Sequence, residues 1–245
     1  MSALVEPDLD LESANAVLET YDPPRIVEWA SRAIRRELVM SSSFGAESAL
    51  LIHMATAVQP DVRIIFVDTG YLFPETHQFM ETLRERFSLN VWTYRTRNDP
   101  IAYLGEANER DPAFRQDVER CCGANKNEPF ARAMRQLQPR GWLRGIRRSQ
   151  AETRAQRSIV EWSDRFQCYA FSPLLNWSRR EIHGYMKQHD LPYHPLFEKG
   201  YASIGCNPRS CTRPINLGED ARAGRWSGTG KVECGLHLES DGSGI

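Results

Sequence analysis

Five short apolar stretches, at 37–40, 62–67, 90–94, 142–146 and 168–171, are separated by segments long enough to form helices. No other feature of this chain narrows its possible folds as much. Short apolar runs bounded by polar turns read as buried strands. Strands alternating with helical lengths build βαβ units around a mainly parallel sheet. Helices are expected at about 49–54 and 74–87. The fold class expected is therefore α/β, an open sheet with helices on both faces. A helical lead-in over 1–36, broken at Pro23-Pro24 and resumed from Arg25, precedes a main domain over 37–215. The Gly-rich, charged stretch over 216–245 reads as a tail lying over that domain.

Composition removes several classes of function. Lys plus Arg number 31 against 32 acids, and a net charge of −1 argues against general nucleic-acid affinity. No apolar run reaches the 18 residues of a membrane span. The acidic start MSALVEPDLDLES lacks the pattern of a secretory signal. Six cysteines, two of them adjacent, are too few for a disulfide scaffold in 245 residues. In a reducing cytoplasm, the compartment expected here, such cysteines bind metal or do chemistry.

Open parallel sheets bind ligands beyond the carboxyl ends of their strands. Three polar segments fall there: Ser41 to Ser48, Asp68-Thr69-Gly70, and Arg147-Arg148-Ser149-Gln150. The first places hydroxyls and backbone N–H groups at a helix start, which favours an anion. The arginine pair can bind phosphate or sulfate bidentately. Each alone has an ordinary reading, as an N-cap or a solvated pair. Their convergence on one sheet edge makes an anion site. Arg154 and Arg157 read as a solvated helix face, with reach to a further phosphate on a ligand as the alternative.

Cys121-Cys122 and Cys206/Cys211 form two close pairs in polar, Gly- and Pro-bearing contexts. Four thiolates so grouped suit zinc or an iron–sulfur cluster. Lys126 lies one helical turn from Cys122. Cys168, inside an apolar strand, reads as core. Cys234 stands in the tail, where no core is expected to bury it, so it reads as a working thiol.

The segments SSSFGAES, VDTG, CCGANK, GIRRSQAETR, YASIGC with CTRP, GRW and ECGLH span about 38–238. Together they resemble the assimilatory sulfonucleotide reductases. These enzymes reduce adenylyl sulfate (APS) or its 3′-phosphorylated form (PAPS) to sulfite with thioredoxin, on a PP-loop nucleotide-binding fold. The resemblance makes Cys234 the nucleophile and sets Cys121, Cys122, Cys206 and Cys211 around a [4Fe–4S] cluster with Lys126 beside it. It puts Ser42, Ser43, Gly45, Asp68, Gly70, Arg147, Arg148, Arg222, Arg225 and His237 around the nucleotide and its sulfate, with Lys126, Arg222, Arg225 and His237 counted in the catalytic set. The cysteine signature implies APS rather than PAPS, and a homo-oligomer is expected. One departure is plain: Cys206 and Cys211 have four residues between them, where the family usually has two.

Two other readings compete. An AMP-forming PP-loop enzyme using ATP predicts a loop nearer Ser-Gly-Gly-x-Asp-Ser, but here Phe44 replaces a glycine and Glu47 the aspartate. A non-catalytic iron–sulfur or zinc module accounts for four cysteines but not for the anion loops or Cys234. Glu233, beside that cysteine, opposes thiolate formation if it lies close, so activating charge is expected from the domain or the substrate.

Overall fold

The computed structural model describes residues 8–97, 118–207, 211–216, 219–220, 222–227, 229, 231, 233 and 235–237. Six strands form one sheet: β1 (Leu38–Ser41), β2 (Arg63–Val67), β3 (Asn90–Tyr94), β4 (Gly141–Leu143), β5 (Val160–Ser163) and β6 (Cys168–Phe171). Their order is β3-β2-β1-β4-β6-β5. The pairings β1 with β2 and β4, β2 with β3, and β4 with β6 are parallel, whereas β5 runs antiparallel to β6.

Both faces of the sheet are covered, which explains the nearly continuous apolar strands. Val39, Ile65, Trp142 and Ala170 point to one face, beneath Phe130, Ala133 and Met134 of α5 (Glu128–Leu137). Their sequence neighbours Met40, Ile64, Phe66, Leu143 and Phe171 point to the other. There they meet α1 (Leu11–Leu18), α2 (Pro23–Ile34), α3 (Ser48–Val58), α4 (Pro74–Phe87) and α6 (Arg179–Gln188). Strand period two thus feeds two cores at once. Each buried Leu, Ile or Phe contributes about 1.5–3 kcal/mol. Close packing also explains Gly141 at the start of β4, where a Cβ would come within 2.8 Å of Ile34.

Two details differ from the sequence reading. Pro23-Pro24 do not break a helix but begin one. Asp22 accepts a hydrogen bond from the Arg25 N–H at 3.1 Å, and the prolines fill the first turn, where their missing N–H groups have no helical partner to lose. Strand β5 was not expected. Its four residues are interrupted by Glu161, and it forms through a hairpin onto β6, with Gln167 in the left-handed region at φ 50°.

After β1 the chain winds outward through β2 and β3, then returns to place β4 on the other side of β1. The strand order reverses there, so the crevice beyond β1 and β4 is the natural ligand position.

Candidate active site

A cavity of about 270 Å³ opens at that crevice. Its floor is the loop from β1 to α3. The Ser42 N–H donates to the Ile65 carbonyl at 3.1 Å, and Ser42 Oγ accepts from the Phe44 N–H at 3.1 Å. These bonds hold Phe44 at φ 48°, with its ring buried edge-on against Phe66 at 5.1 Å. A non-glycine residue held there stores about 1–3 kcal/mol of strain. The turn it makes sets Ser42, Ser43 and Gly45 on the cavity lining. Helix α3 then starts without a side-chain cap. Its first N–H groups and the positive end of its dipole therefore suit an anion.

The adjacent arginines part ways. Arg147 lines the cavity, with Nη1 on Glu47 Oε2 at 2.6 Å. Its buried Nε has no hydrogen-bond partner among the described residues. Arg148 turns outward, donating to the Arg157 carbonyl at 3.0 Å, to Glu19 at 2.7 Å and to Asn176. Asp68 and Gly70 also lie off the lining. Asp68 is buried and ion-paired to Arg95 at 2.6 Å, and its other oxygen accepts from the Gly70 N–H at 3.0 Å. Their neighbour Thr69 is the member of that segment which reaches the cavity.

All four cysteines of the two pairs line the same cavity. Cys121 and Cys122 close a helical segment that passes through a π-helical turn, Gly123–Asn127, carrying Lys126. Cys211 packs with Val118 and Trp226, and Cys122, Cys206 and Leu236 close around them. Thr69 Oγ1 lies 3.3 Å from Cys206 Sγ, and Asn125 Nδ2 donates to Cys121 Sγ at 3.5 Å. Burial pushes Cys121 up, Cys122 up to about 11 and Cys211 up to about 12, and neighbouring thiols add to each rise. Lys231 and Lys126 pull Cys122 the other way. Such thiols stay protonated unless a positive partner replaces the proton. Among the described residues no three His, Cys, Asp or Glu form a group that could hold a metal ion. A four-iron cluster makes a different demand, one thiolate on each iron.

The chain after Ile204 roofs the cavity. Arg225 stacks on Trp226 at 4.4 Å and donates to the Cys211 carbonyl at 3.1 Å. Gly205 permits this, since a Cβ there would lie 2.3 Å from the guanidinium. Glu233 is 5% exposed and Arg154 also 5%, so Arg154 is not on a solvated face. Arg154 grips Glu233 through two hydrogen bonds, 2.6 and 2.8 Å, and Arg222 approaches the same carboxylate at 3.3 Å. Arg157 is half-buried and pairs with Glu161 at 3.2 Å.

Cys234 lies outside the described residues, but its neighbours on both sides are placed. Glu233 and Leu236 line the cavity, and Gly235–His237 form a short 3₁₀ turn. Arg165 donates to the Gly235 carbonyl at 2.5 Å, and a Cβ on Gly235 would lie 2.4 Å from Asn127 Nδ2. The structure thus brings together Ser42, Ser43, Gly45, Lys126, Arg147, Arg222, Arg225 and the four cysteines. Gln150, from the third polar segment, also lines the cavity, as do Arg154 and Glu233, whose ion pair the sequence reading did not anticipate. The one available signal was the four-residue spacing of Gln150 and Arg154, which bond to each other.

Residues 37–214 match the model of the phosphoadenosine phosphosulfate reductase domain. The chain is 42% identical to the phosphoadenosine 5′-phosphosulfate reductase of Xylella fastidiosa strain 9a5c, covering 93% of this chain and 94% of that protein. It is 38% identical to the adenosine 5′-phosphosulfate reductase of Shouchella clausii, covering 95% of each. Among solved structures, a PAPS reductase from Candida auris in a phosphate complex superposes with a TM-score of 0.69 at 22% identity, covering 84% of this chain and 98% of that one.

Proposed function

Because the chain belongs to the phosphoadenosine phosphosulfate reductase family, we propose that this sulfonucleotide reductase takes APS, attacks it with Cys234 and is recharged by thioredoxin. One observation carries the reading. The uncapped helix start, Arg147, both cysteine pairs and the Glu233 that precedes Cys234 border a single cavity.

The nucleotide's phosphate suits the loop of Ser42, Ser43 and Gly45 at the start of α3, where the positive end of the helix dipole favours an anion. Arg147, Arg222, Arg225 and Lys126 supply the positive charge that lets a thiolate approach a sulfur ringed by anionic oxygens. His237, in the turn that follows Cys234, completes the catalytic set. The Cys234 thiolate donates an electron pair to that sulfur, the bond from sulfur to the bridging oxygen breaks, and AMP leaves with the bonding pair. The cysteine then carries the sulfonate. A thioredoxin thiolate attacks the Cys234 sulfur and sulfite departs. Thioredoxin's second thiol closes its disulfide and returns the Cys234 thiol.

Cys121, Cys122, Cys206 and Cys211 would hold the [4Fe–4S] cluster, and their convergence on one wall despite the longer spacing supports the fit. Bound to these four thiolates, a cluster would tie the two cysteine segments together.

PAPS differs by a 3′-phosphate, which adds roughly two negative charges. Of the further arginines, Arg148 is engaged by Glu19 and Asn176 away from the cavity, and Arg154, which lines it, is engaged by Glu233. This supports APS as the preferred substrate. Sulfite release from APS and PAPS, measured side by side with reduced thioredoxin, should favour APS in kcat/KM at least tenfold, about 1.4 kcal/mol. Equal or better turnover of PAPS overturns the substrate assignment and leaves the family intact. Sulfite formed catalytically without any dithiol donor overturns the role of thioredoxin.

A further inference from the structure

A buried arginine such as Arg154 carries a large cost unless an anion accompanies it. Arg154 and Arg222 meet that requirement from within the chain. The Glu233 carboxylate, as buried as Arg154, receives two hydrogen bonds from Arg154 and sits 3.3 Å from Arg222. All three side chains line the cavity. The parallel two-bond geometry is the one an arginine also offers to phosphate or sulfate. A carboxylate in that seat and a substrate anion in the same seat repel each other at short range.

We infer that Glu233 is a built-in competitor anion: its carboxylate fills the Arg154–Arg222 clamp in the free enzyme and is displaced by the outer anionic group of the substrate. The inference rests on the sulfonucleotide reading of this cavity. The exchange swaps one anion for another and forms no covalent bond. It adjusts affinity, because every binding event works against the internal ion pair. It also links substrate arrival to the position of the residue bonded to Glu233, which is Cys234. The downstream turn keeps separate anchors, the Arg165 bond to the Gly235 carbonyl and the packing of Leu236, so the exchange is local.

ADP and AMP separate this inference from the reading beneath it. ADP carries a second phosphate where the substrate carries sulfate and is inert to thiol attack, whereas AMP stops at the first phosphate. Calorimetric titration of Glu233→Gln should show ADP binding about tenfold tighter than to the unaltered enzyme, about 1.4 kcal/mol, with AMP unchanged within about twofold. Glu233→Asp, which keeps the charge, should remain near the unaltered affinity for ADP. If Glu233→Gln leaves ADP binding unchanged or weaker, Glu233 does not compete and the inference fails. If both nucleotides tighten equally, the effect is not exchange at the clamp and the inference also fails. If neither nucleotide binds the unaltered enzyme, the reading of the cavity fails and takes the inference with it. A measurement on the unaltered chain covers the case in which Glu233→Gln does not fold. The Arg154 Nε–H magnetic resonance signal should move on saturation with ADP and stay in place with AMP. The same shift with both, or with neither, contradicts displacement.

Discussion

The sheet and the roof over its cavity are held by different forces. In the sheet, neighbouring residues of β1, β2, β4 and β6 feed two apolar cores, and the strand interiors are closed to solvent. In the roof, from 205 onward, regular structure among the described residues is limited to the turn Gly235–His237 and two isolated bridges, Leu72 with Cys206 and Thr212 with Arg225. Charge and rings hold the roof instead. Arg213 pairs with Glu219 at 3.0 Å, Lys231 with Glu119 at 2.5 Å, and Arg225 and Lys231 both flank Trp226. Apolar burial at roughly 25 cal/mol per Å² accumulates over a whole sheet. Partly exposed ion pairs contribute little individually. The sheet therefore carries the larger share of the stability and the roof the smaller.

The sharpest way to break this contrast is to damage each region and compare. Trp142 is 1% exposed, packs on Phe130 at 5.0 Å and donates to Ser41 Oγ at 2.8 Å. Trp142→Ala should lower unfolding free energy by about 3–5 kcal/mol in urea titration. Arg213→Ala, in the roof, should move the same midpoint far less. Equal shifts would contradict the division.

Acid offers a second comparison. His194 is closed to solvent; its Nδ1 accepts the Leu196 N–H at 3.1 Å and its Nε2 meets Thr76 at 3.1 Å. Burial pushes it from an ordinary 6.5 down to about 4. The unfolded chain therefore binds the extra proton first, and the frame loses stability as pH falls from about 6.5 toward 4. Glu219 behaves differently. Arg213 holds it down to about 2, so its contribution stands above the ordinary 4.5 and is lost only as pH falls toward 2. Urea midpoints at pH 7 and 4.5 should differ, and His194→Asn should flatten that difference. An unchanged slope in the variant would remove His194 as the cause.

The contrast also explains what the sequence made legible. Strands, sheet polarity and the Ser41–Ser48 loop follow from apolar runs and their polar ends, which are local signals. Cys168, read as core, is fully buried in β6. Side-chain destinations in and around the roof are not local. Arg147 and Arg148 look alike, but Glu47 draws one inward and Glu19 draws the other out, both from more than a hundred positions away or close to it. Arg154 reads as solvated in its own neighbourhood and is buried because Glu233 arrives 79 residues later. Edge strand β5 is short and carries a charge, so pairing rather than pattern defines it.

The smallest expected effect tests that parting of neighbours. Arg148→Ala should change kcat/KM for APS by less than about twofold, the range of a surface substitution. A loss beyond about tenfold would return Arg148 to the nucleotide.

The central claim, that Cys234 takes the sulfonate, is tested most directly by mass. Enzyme incubated with APS and no reductant should gain about 80 Da, mapped to Cys234, as expected for a covalent intermediate on a nucleophilic thiol. Reduced thioredoxin should then discharge the adduct as sulfite, and Cys234→Ser should form neither adduct nor sulfite while still binding nucleotide. If no adduct forms and labelled sulfur stays on the nucleotide until thioredoxin is added, the sulfur passes directly to the reductant and the account is contradicted.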